Sequence, residues 1–516
     1  MDAMADTARR FHDATTHTPR SVRSSGHALD WDNKPFPFKV YIDAPSVPLP
    51  REIDALSTPT LVAVSGAGGT PAARLTLGDL TALLYYTAGV TKKRTYPGGG
   101  EVLFRAAAST GALYQTEVYV VAGDVDGLAA GVYHFSPGDF VLRRLRAGDV
   151  RGALADAAAD DALARRACTL VLTAIYWRNT WKYQTRGYRH LFWDSGTMLA
   201  NALAVASALG LAPRLFTGFV DTDVNHLLGV DVTHEAALEL LAVGPEGAAA
   251  PPSGGLEPLA HSVMPLSREA VDYPLLREAL ATSSLPGPDA VRAWRAATAP
   301  VALAAPREFV SLPVPDPTAG RTLGETIQRR GSTRSFAHEA LTLEDLGAAL
   351  WAASRPIPCD LPGGFVDLYL IINAVGGLAA GAYRYERTMH GLETLAEDDF
   401  RRQSAFLTLE QPLGGDAAAV IYFLAPLNAV LTAYGDRGYR VVNLEAGLAG
   451  GRAYLAAYGR GFGASGLTFY DEEVVRFFSP RAAGTDAIFV TALGRSAPRE
   501  ERVLLSTPRP APPRRS

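Results

Sequence analysis

The segment RRGSTRSF, Arg329 to Phe336, carries the side chains best suited to binding an anion. Arg330, Ser332 and Arg334 alternate along it, so in an extended backbone their side chains share one face. Two guanidinium forks and a hydroxyl group on one face suit a phosphate monoester. The alternative is a solvated basic stretch that precedes a helix. The pattern therefore predicts a phosphate-binding segment in which Arg330, Ser332 and Arg334 are the ligands.

The composition of the chain excludes several classes of protein. Of its 516 residues, 48% are hydrophobic and 20% are charged, and the formal net charge is −4. This is typical of a globular protein and indicates neither a nucleic-acid partner nor an anionic membrane partner. The two cysteines, Cys168 and Cys359, are far apart in sequence and give neither a disulfide framework nor the spacing of metal ligands. No signal-peptide pattern and no membrane-spanning stretch occur, so we expect a cytoplasmic protein.

Three sequence blocks occur twice in the same order, which predicts an internal duplication. A block with LTLxDL begins at Leu75 and again at Leu341, and a block with GLAAGxY follows each. The third block opens with RGYR at Arg186 and again at Arg437. The predicted organisation is an N-terminal arm (1–54), a first domain (55–245), a linker with a helix (246–319), a second domain (320–500) and a disordered tail (501–516).

The same order of elements is predicted in both domains. An amphipathic helix over LTLxDL precedes two strands that are joined by a Gly-rich turn. A long apolar helix follows, and a last strand ends each domain. The pattern predicts the α+β class, with a mainly antiparallel sheet flanked by helices in each domain. We expect the last strands to be the place where the two halves exchange chain.

The RRGSTRSF segment resembles the Arg-Ser-x-Arg motif that binds the FMN phosphate in the nitroreductase superfamily. Within that superfamily the chain resembles the azoline dehydrogenases of the SagB and McbC type, which make thiazoles and oxazoles in ribosomal peptide natural products. The segment Arg105–Phe135 resembles the Pro-Ser-x-Gly block of that family, although Ala108 and Gln115 stand where the family has proline. In the family this turn contacts the isoalloxazine from the opposite subunit. The resemblance assigns that contact to Ser109, Thr110 and Gly111.

The segment WKYQTRGYRH, Trp181 to His190, resembles the Lys-Tyr and Arg-Gly-Tyr-Arg segment of the azoline dehydrogenases. The resemblance assigns catalysis to Lys182 and Tyr183, with an ordinary surface lysine and a packing tyrosine as the alternatives. Lys182 can act as a base only if its pKa is lowered by burial or by nearby cations, and we expect Arg186 and Arg189 to lower it.

Further cofactor contacts are expected from a Gly-rich loop and two arginines. The sequence GFGASG after the second long helix resembles the second flavin-binding loop of nitroreductases, with the C-terminal cap of a helix as the alternative. The additional residues assigned to FMN are Gly463, Ala464, Ser465, Gly466, Arg189 and Arg495.

The two halves are unequal. The C-terminal half carries the phosphate motif, and the N-terminal half carries Ser109–Gly111 and the Lys182–Tyr183 pair. In the mirror-related site VAVSGAGGTPAAR replaces the arginine motif, CDLPGGF replaces the serine turn, Ala433 replaces the lysine, and GLAPRLF replaces the Gly-rich loop. Nitroreductases are normally homodimers with two FMN sites. The comparison therefore predicts a monomeric pseudodimer that binds one FMN.

The resemblance implies an FMN-dependent oxidation of thiazolines or oxazolines to azoles in a peptide or small-molecule substrate. A cyclodehydratase or a leader-binding protein is the implied partner. Two alternatives stay open. One is an NAD(P)H-dependent nitro or quinone reductase, and the other is a non-catalytic scaffold of a peptide-modifying complex.

Overall fold

The computed structural model describes residues 6–95, 101–252, 254–298 and 309–497, so the predicted disordered tail (501–516) lies outside the described residues. The helices are α1 Asp6–Ala14, α2 Pro19–Arg23, α3 Thr60–Val64, α4 Leu77–Ala88, α5 Arg151–Ala158, α6 Ala162–Arg165, α7 Tyr176–Tyr183, α8 Gly187–Ala208, α9 Asp221–Leu228, α10 Pro274–Thr282, α11 Pro288–Ala296, α12 Leu323–Arg329, α13 Leu343–Ala353, α14 Arg401–Leu407, α15 Pro412–Asp416, α16 Leu427–Tyr434, α17 Arg437–Arg460 and α18 Asp471–Phe478. The strands are β1 Ser46–Pro48, β2 Val90–Thr95, β3 Glu101–Arg105, β4 Thr116–Ala122, β5 Gly131–Ser136, β6 Val141–Ala147, β7 Arg166–Ile175, β8 Arg214–Phe216, β9 Glu235–Glu246, β10 Phe309–Ser311, β11 Asp367–Ile372, β12 Gly381–Glu386, β13 Gly391–Glu397, β14 Ala419–Ala425, β15 Gly463–Gly466 and β16 Asp486–Gly494.

Two seven-stranded antiparallel sheets have the same topology. Their strand orders are β1-β6-β5-β4-β7-β9-β8 and β10-β13-β12-β11-β14-β16-β15. This confirms the predicted α+β class and the internal duplication. The expected exchange of the last strands is wrong, because β9 lies between β7 and β8 and β16 lies between β14 and β15, all of the same half. Neither last strand has a free edge to offer to the other half.

Equivalent residues begin equivalent helices in the two halves. The hydroxyl of Thr76 accepts the backbone N–H of Asp79 at the start of α4, and Thr342 accepts that of Asp345 at the start of α13. Such N-caps satisfy a donor that has no partner inside the helix. The repeated LTLxDL block therefore encodes a helix start as well as an apolar face.

The segments predicted as an N-terminal arm and a linker hold further repeated elements. Helix α1 and strand β1 precede the first predicted domain, and helix α10 and strand β10 precede the second. Strands β1 and β10 occupy the same edge of their sheets, beside β6 and β13. The helix predicted in the linker begins at Pro274, and proline is favoured in the first turn of a helix. The domain boundaries stay a prediction, and these elements favour earlier starts for both units.

The long helices α8 and α17 form the centre of the pseudodimer. Nearly every residue of both helices is buried. A Cβ atom on Gly196 would lie 2.6 Å from the backbone oxygen of Leu444, so only glycine allows this close approach. The described ranges contain no helix that is both long and apolar enough to cross a membrane.

The repeated RGYR segments hold the halves together through reciprocal buried ion pairs. Arg189 contacts Asp471 of the C-terminal half at 2.6 Å, and Arg186 contacts the same carboxylate at 3.1 Å. In the mirror position Arg437 and Arg440 contact Asp221 of the N-terminal half at 2.6 and 2.7 Å. Each half thus supplies two arginines to a carboxylate at the first residue of a helix in the other half.

Candidate active site

The turn Ser109–Gly111 is fixed by a buried carboxylate on α8. Asp194 accepts hydrogen bonds from the Ser109 hydroxyl (2.6 Å), the Thr110 backbone N–H (2.8 Å) and hydroxyl (2.7 Å), and the Gln115 amide (2.7 Å). Burial raises the pKa of Asp194 to about 6, against the opposing effect of these hydrogen bonds. The turn is therefore held by a group that the sequence interpretation missed, as it missed the role of Gln115.

The Lys182–Tyr183 pair meets this turn at the C-terminal end of α7. Gly111 has a φ of +63°, and a Cβ atom there would lie 3.0 Å from the Tyr183 hydroxyl. Both the backbone conformation and the close approach require glycine. The Lys182 ammonium lies 5.3 Å from the centre of the Tyr183 ring. The structure thus brings Tyr183 to the turn that is predicted to face the flavin, with the Lys182 ammonium beside its ring.

The pKa of Lys182 is lowered, first by burial and then by Arg334 and Lys34. The expectation that Arg186 and Arg189 lower it is wrong, because both guanidinium groups face Asp471. Arg334, which belongs to the C-terminal half, therefore acts on the pKa of a residue of the N-terminal half. Burial and the carboxylate of Asp194 raise the pKa of Tyr183 to about 12 despite the opposing effect of Arg334, so its hydroxyl stays protonated at neutral pH.

The two arginines of the phosphate motif differ in burial, and the common face predicted for them stays a prediction. Arg330 is buried and donates to the carbonyl oxygens of Ala106 (2.7 Å), Arg105 (2.7 Å) and Ala107 (3.1 Å), directly before the Ser109 turn. Arg334 is exposed. Among the described residues neither guanidinium has a carboxylate within ion-pair distance. The pair could therefore still accept a phosphate, with Arg330 also joining the two halves.

Ser332 and the Gly463–Gly466 strand lie together. The Tyr454 hydroxyl lies 3.3 Å from the Ser332 hydroxyl and accepts the Gly466 backbone N–H at 2.6 Å. The Thr333 backbone N–H donates to the Ala464 carbonyl at 2.9 Å, and no side chain fits at Gly463 because Thr333 fills that space. The Ser465 hydroxyl is buried without a hydrogen-bond partner among the described residues. An unsatisfied buried hydroxyl on this strand is consistent with a ligand contact.

Two residues assigned to the cofactor lie apart from this group. Arg189 is buried between Asp471, Thr15 and the carbonyl of His12, so it belongs to the ion pairs between the halves. Arg495 contacts Asp345 at 3.2 Å. The assignment of either residue to FMN has no geometric support here.

Residues of the N-terminal segment cover the end of α7. The Trp31 ring lies edge-on to Trp181 with ring centres 5.3 Å apart, and the Trp181 indole N–H donates to the Asp30 carbonyl at 2.8 Å. The Lys34 ammonium lies 5.5 Å from the Trp31 ring. Trp31 is 65% exposed, which is unusual for so large an aromatic side chain. An aromatic and cationic surface therefore lies beside Lys182.

Comparisons with known proteins agree with this architecture. The model of the nitroreductase family matches residues 73–245 and 327–479. The putative nitroreductase MJ1384 of Methanocaldococcus jannaschii is 32% identical over 171 residues, which cover 33% of this chain and 81% of that protein. The crystal structure of a putative nitroreductase from Anabaena variabilis superposes with a TM-score of 0.75 at 26% identity, over 95% of this chain and 99% of that one.

Two curated relatives are named for peptide processing. The microcin B17-processing protein McbC of Escherichia coli is 28% identical over 145 residues, which cover 27% of this chain and 49% of that protein. The trifolitoxin-processing protein TfxB of Rhizobium leguminosarum bv. trifolii is 30% identical over 175 residues, which cover 33% of this chain and 47% of that protein. The chain thus spans about half the length of these two relatives.

Proposed function

The chain belongs to the nitroreductase family, and on that premise we propose that it is an FMN-dependent dehydrogenase that oxidises thiazoline or oxazoline rings to azoles in peptide natural-product biosynthesis. The observation that carries the proposal is the close approach of the Tyr183 hydroxyl to Gly111 of the Ser109–Gly111 turn, with the Lys182 ammonium beside the Tyr183 ring. The names of McbC and TfxB support a peptide substrate.

The residues present fit an FMN group at the junction of the halves. Arg330, Ser332 and Arg334 would hold the phosphate, and an anion would give the buried Arg330 a counter-charge. The Ser109–Gly111 turn and the Gly463–Gly466 strand offer backbone and hydroxyl groups to the ring. When bound, FMN supplies the acceptor for the two electrons that leave the azoline.

Lys182 is proposed to take the proton from the azoline ring carbon between the nitrogen and the carbonyl group. An amine accepts a proton only in its neutral form, and burial together with Arg334 and Lys34 favours that form. Tyr183 keeps its proton and can donate a hydrogen bond to the substrate carbonyl. In this proposal the C-terminal half binds the phosphate and the N-terminal half supplies the base.

The exposed surface of Trp31 and Lys34, which packs on the buried Trp181, favours a substrate with an extended peptide chain. Exposed tryptophan offers a rigid apolar contact, and the cation beside it suits backbone carbonyl groups or acidic side chains. A cyclodehydratase or a leader-binding protein is the partner that we propose, because a dehydrogenase of this kind needs the azoline to be formed first.

The proposal is tested on the purified chain by its flavin absorbance and by azoline oxidation on a synthetic thiazoline peptide. We expect one FMN per chain. Lys182→Ala should keep the flavin and lose azoline oxidation by at least 100-fold, in line with the loss of a general base. A double Arg330→Ala, Arg334→Ala variant should lose FMN. Full turnover of Lys182→Ala on every azoline tested would refute the assignment of the base.

The same preparation separates the alternatives. A nitro or quinone reductase would bleach its flavin with NADPH and reduce nitroarenes, and these activities would survive in Lys182→Ala. A non-catalytic scaffold would show no flavin absorbance.

A further inference from the structure

The halves enclose a second cleft, which is related to the proposed flavin site by the internal duplication. It has a volume of about 600 Å³, which lies within the range of small-molecule sites. Residues 63–66 line it where the other half has the phosphate motif, and residues 212–214 line it where the other half has the Gly-rich strand. Residues 356–359 of the C-terminal half close it opposite α8.

This cleft cannot hold a flavin phosphate in the manner of the other site. The segment after α3 has no arginine pair, and it packs onto the end of α8. A Cβ atom on Gly69 would lie 2.7 Å from the backbone nitrogen of Gly210, and the Ala72 backbone N–H donates to the Gly210 carbonyl at 3.0 Å. Leu203 and Ser207 stand on α8 where α17 carries Tyr454 and Tyr458. The α8 side of the cleft therefore carries smaller side chains than the α17 side of the other site.

The charged residues that line the cleft are all arginines: Arg166, Arg214 and Arg452. Arg452 is only 4% exposed and donates to the carbonyl oxygens of Arg355 and, at 3.1 Å, of Pro356. Within the described ranges no carboxylate lies within ion-pair distance of it. Arg166 donates to the carbonyl oxygens of Leu211 and Ala212, while its Nε is buried without a partner among the described residues. Arg214 contacts Asp160 at 3.2 Å.

A buried guanidinium without a counter-charge is costly, and an anion that enters the cleft would offset this cost. Ala63, Leu203 and Ile357 provide apolar contacts beside it. We propose that this cleft is a second ligand site, which binds a small organic carboxylate with an apolar body. Arg452 and Arg166 bind the carboxylate, and the apolar residues enclose the remainder. The duplication has then converted one of two flavin positions into a site for another class of ligand.

The test uses calorimetric titration of the FMN-saturated chain with 2-naphthoate and with its neutral isostere 2-naphthamide. We expect one 2-naphthoate per chain, bound at least 10-fold more tightly than 2-naphthamide. Arg452→Met and Arg166→Met should each weaken 2-naphthoate binding by at least 10-fold. Ser65→Trp, which places an indole at the exposed rim of the cleft, should abolish it. Flavin content and turnover should stay unchanged in all three variants.

Two matched controls locate the site. Lys182→Met removes a cation at the proposed active site and should leave 2-naphthoate binding unchanged, as should Arg292→Met on an exposed face of α11. Equal binding of the acid and the amide would overturn the proposal, as would full binding by Ser65→Trp or loading of a second FMN that displaces 2-naphthoate. If Arg452→Met fails to fold, Arg166→Met and Ser65→Trp decide the question.

Discussion

At the scale of single residues, the proton chemistry depends on the cations around Lys182. Burial, Arg334 and Lys34 lower its pKa, and both cations are exposed, but Lys34 is not assigned to the cofactor. In Lys34→Met one of these cations is lost, so the pKa of Lys182 should rise. The base is active only when neutral, so the limb of the pH–rate profile on which activity rises should move to higher pH. Steady-state rates of azoline oxidation across pH measure this shift.

The control for this change is Arg292→Met, which removes an exposed cation elsewhere and should leave the profile in place. Salt screens exposed charges, so the shift of the rising limb between the unchanged chain and Lys34→Met should become smaller at high ionic strength. A limb that stays in place at low salt would contradict the proposed role of Lys34. FMN content should equal that of the unchanged chain, because Lys34 is not among the residues assigned to the cofactor.

At the scale of elements, each central helix fixes a turn of its own half through a carboxylate at the same repeat position. Asp194 on α8 binds the Ser109–Gly111 turn, and Glu445 on α17 accepts the backbone N–H groups of Gly364 and Phe365 at 3.0 and 3.2 Å. Asp194→Ala and Glu445→Ala should each lower the free energy of unfolding by about 2–3 kcal/mol, since buried donors lose their acceptor. Urea denaturation measures both losses.

Only Asp194→Ala should impair catalysis. The turn that Glu445 holds belongs to the C-terminal half, where Ala433 and Tyr434 stand in place of the Lys-Tyr pair. We expect azoline oxidation per folded chain to fall by at least 10-fold in Asp194→Ala and to stay within 2-fold of the unchanged chain in Glu445→Ala. Equal loss of activity in the two variants would show that the mirror-related turn also takes part in the reaction.

Much of the element pattern could be predicted from the sequence, because apolar periodicity and the repeated LTLxDL and RGYR blocks are local signals. Strands β4 and β11 lie where these signals place them, whereas the helices α8 and α17 begin within the RGYR blocks, ahead of the apolar stretches that predict them. The acceptor of the Ser109 turn could not be found in the same way, because Asp194 lies far along the chain and on a helix that is buried on all sides. The sequence signal for this acceptor is an acidic residue at the same position of both RGYR blocks, Asp194 in the first and Glu445 in the second.

At the scale of the whole molecule, the sequence predicted the duplication and its asymmetry but not the ion pairs that the RGYR segments make between the halves. Resemblance to known dehydrogenases assigned Arg189 to the cofactor, whereas the structure pairs it with Asp471 of the other half. No local pattern reveals such a contact, since the two residues meet only after both halves have folded. The shared position of Asp221 and Asp471, each at the first residue of its helix, becomes a signal only once the two halves are aligned.

The reciprocal ion pairs predict that the two halves unfold as one unit. Asp471→Asn and Asp221→Asn each leave two buried arginines without a counter-charge, which should lower the free energy of unfolding by about 3–5 kcal/mol. Glu473→Gln, which removes the carboxylate partner of the exposed Arg476, should change it by less than about 1 kcal/mol. Urea denaturation should show one transition in every variant. Two separate transitions, each sensitive to one substitution, would contradict this coupling.

The same ion pairs predict how the difference in the free energy of unfolding between the unchanged chain and Asp471→Asn depends on pH. Burial alone would raise the pKa of Asp471, but Arg186 and Arg189 outweigh burial and hold it below its usual value of 3.8. A carboxyl whose pKa is lowered by folding stabilises the fold above its unfolded pKa and loses that contribution as pH falls through the folded value. The difference should therefore stay constant from pH 7 to about pH 5 and shrink below about pH 4. A difference that grows on acidification would show that Asp471 is not ionised in the folded chain.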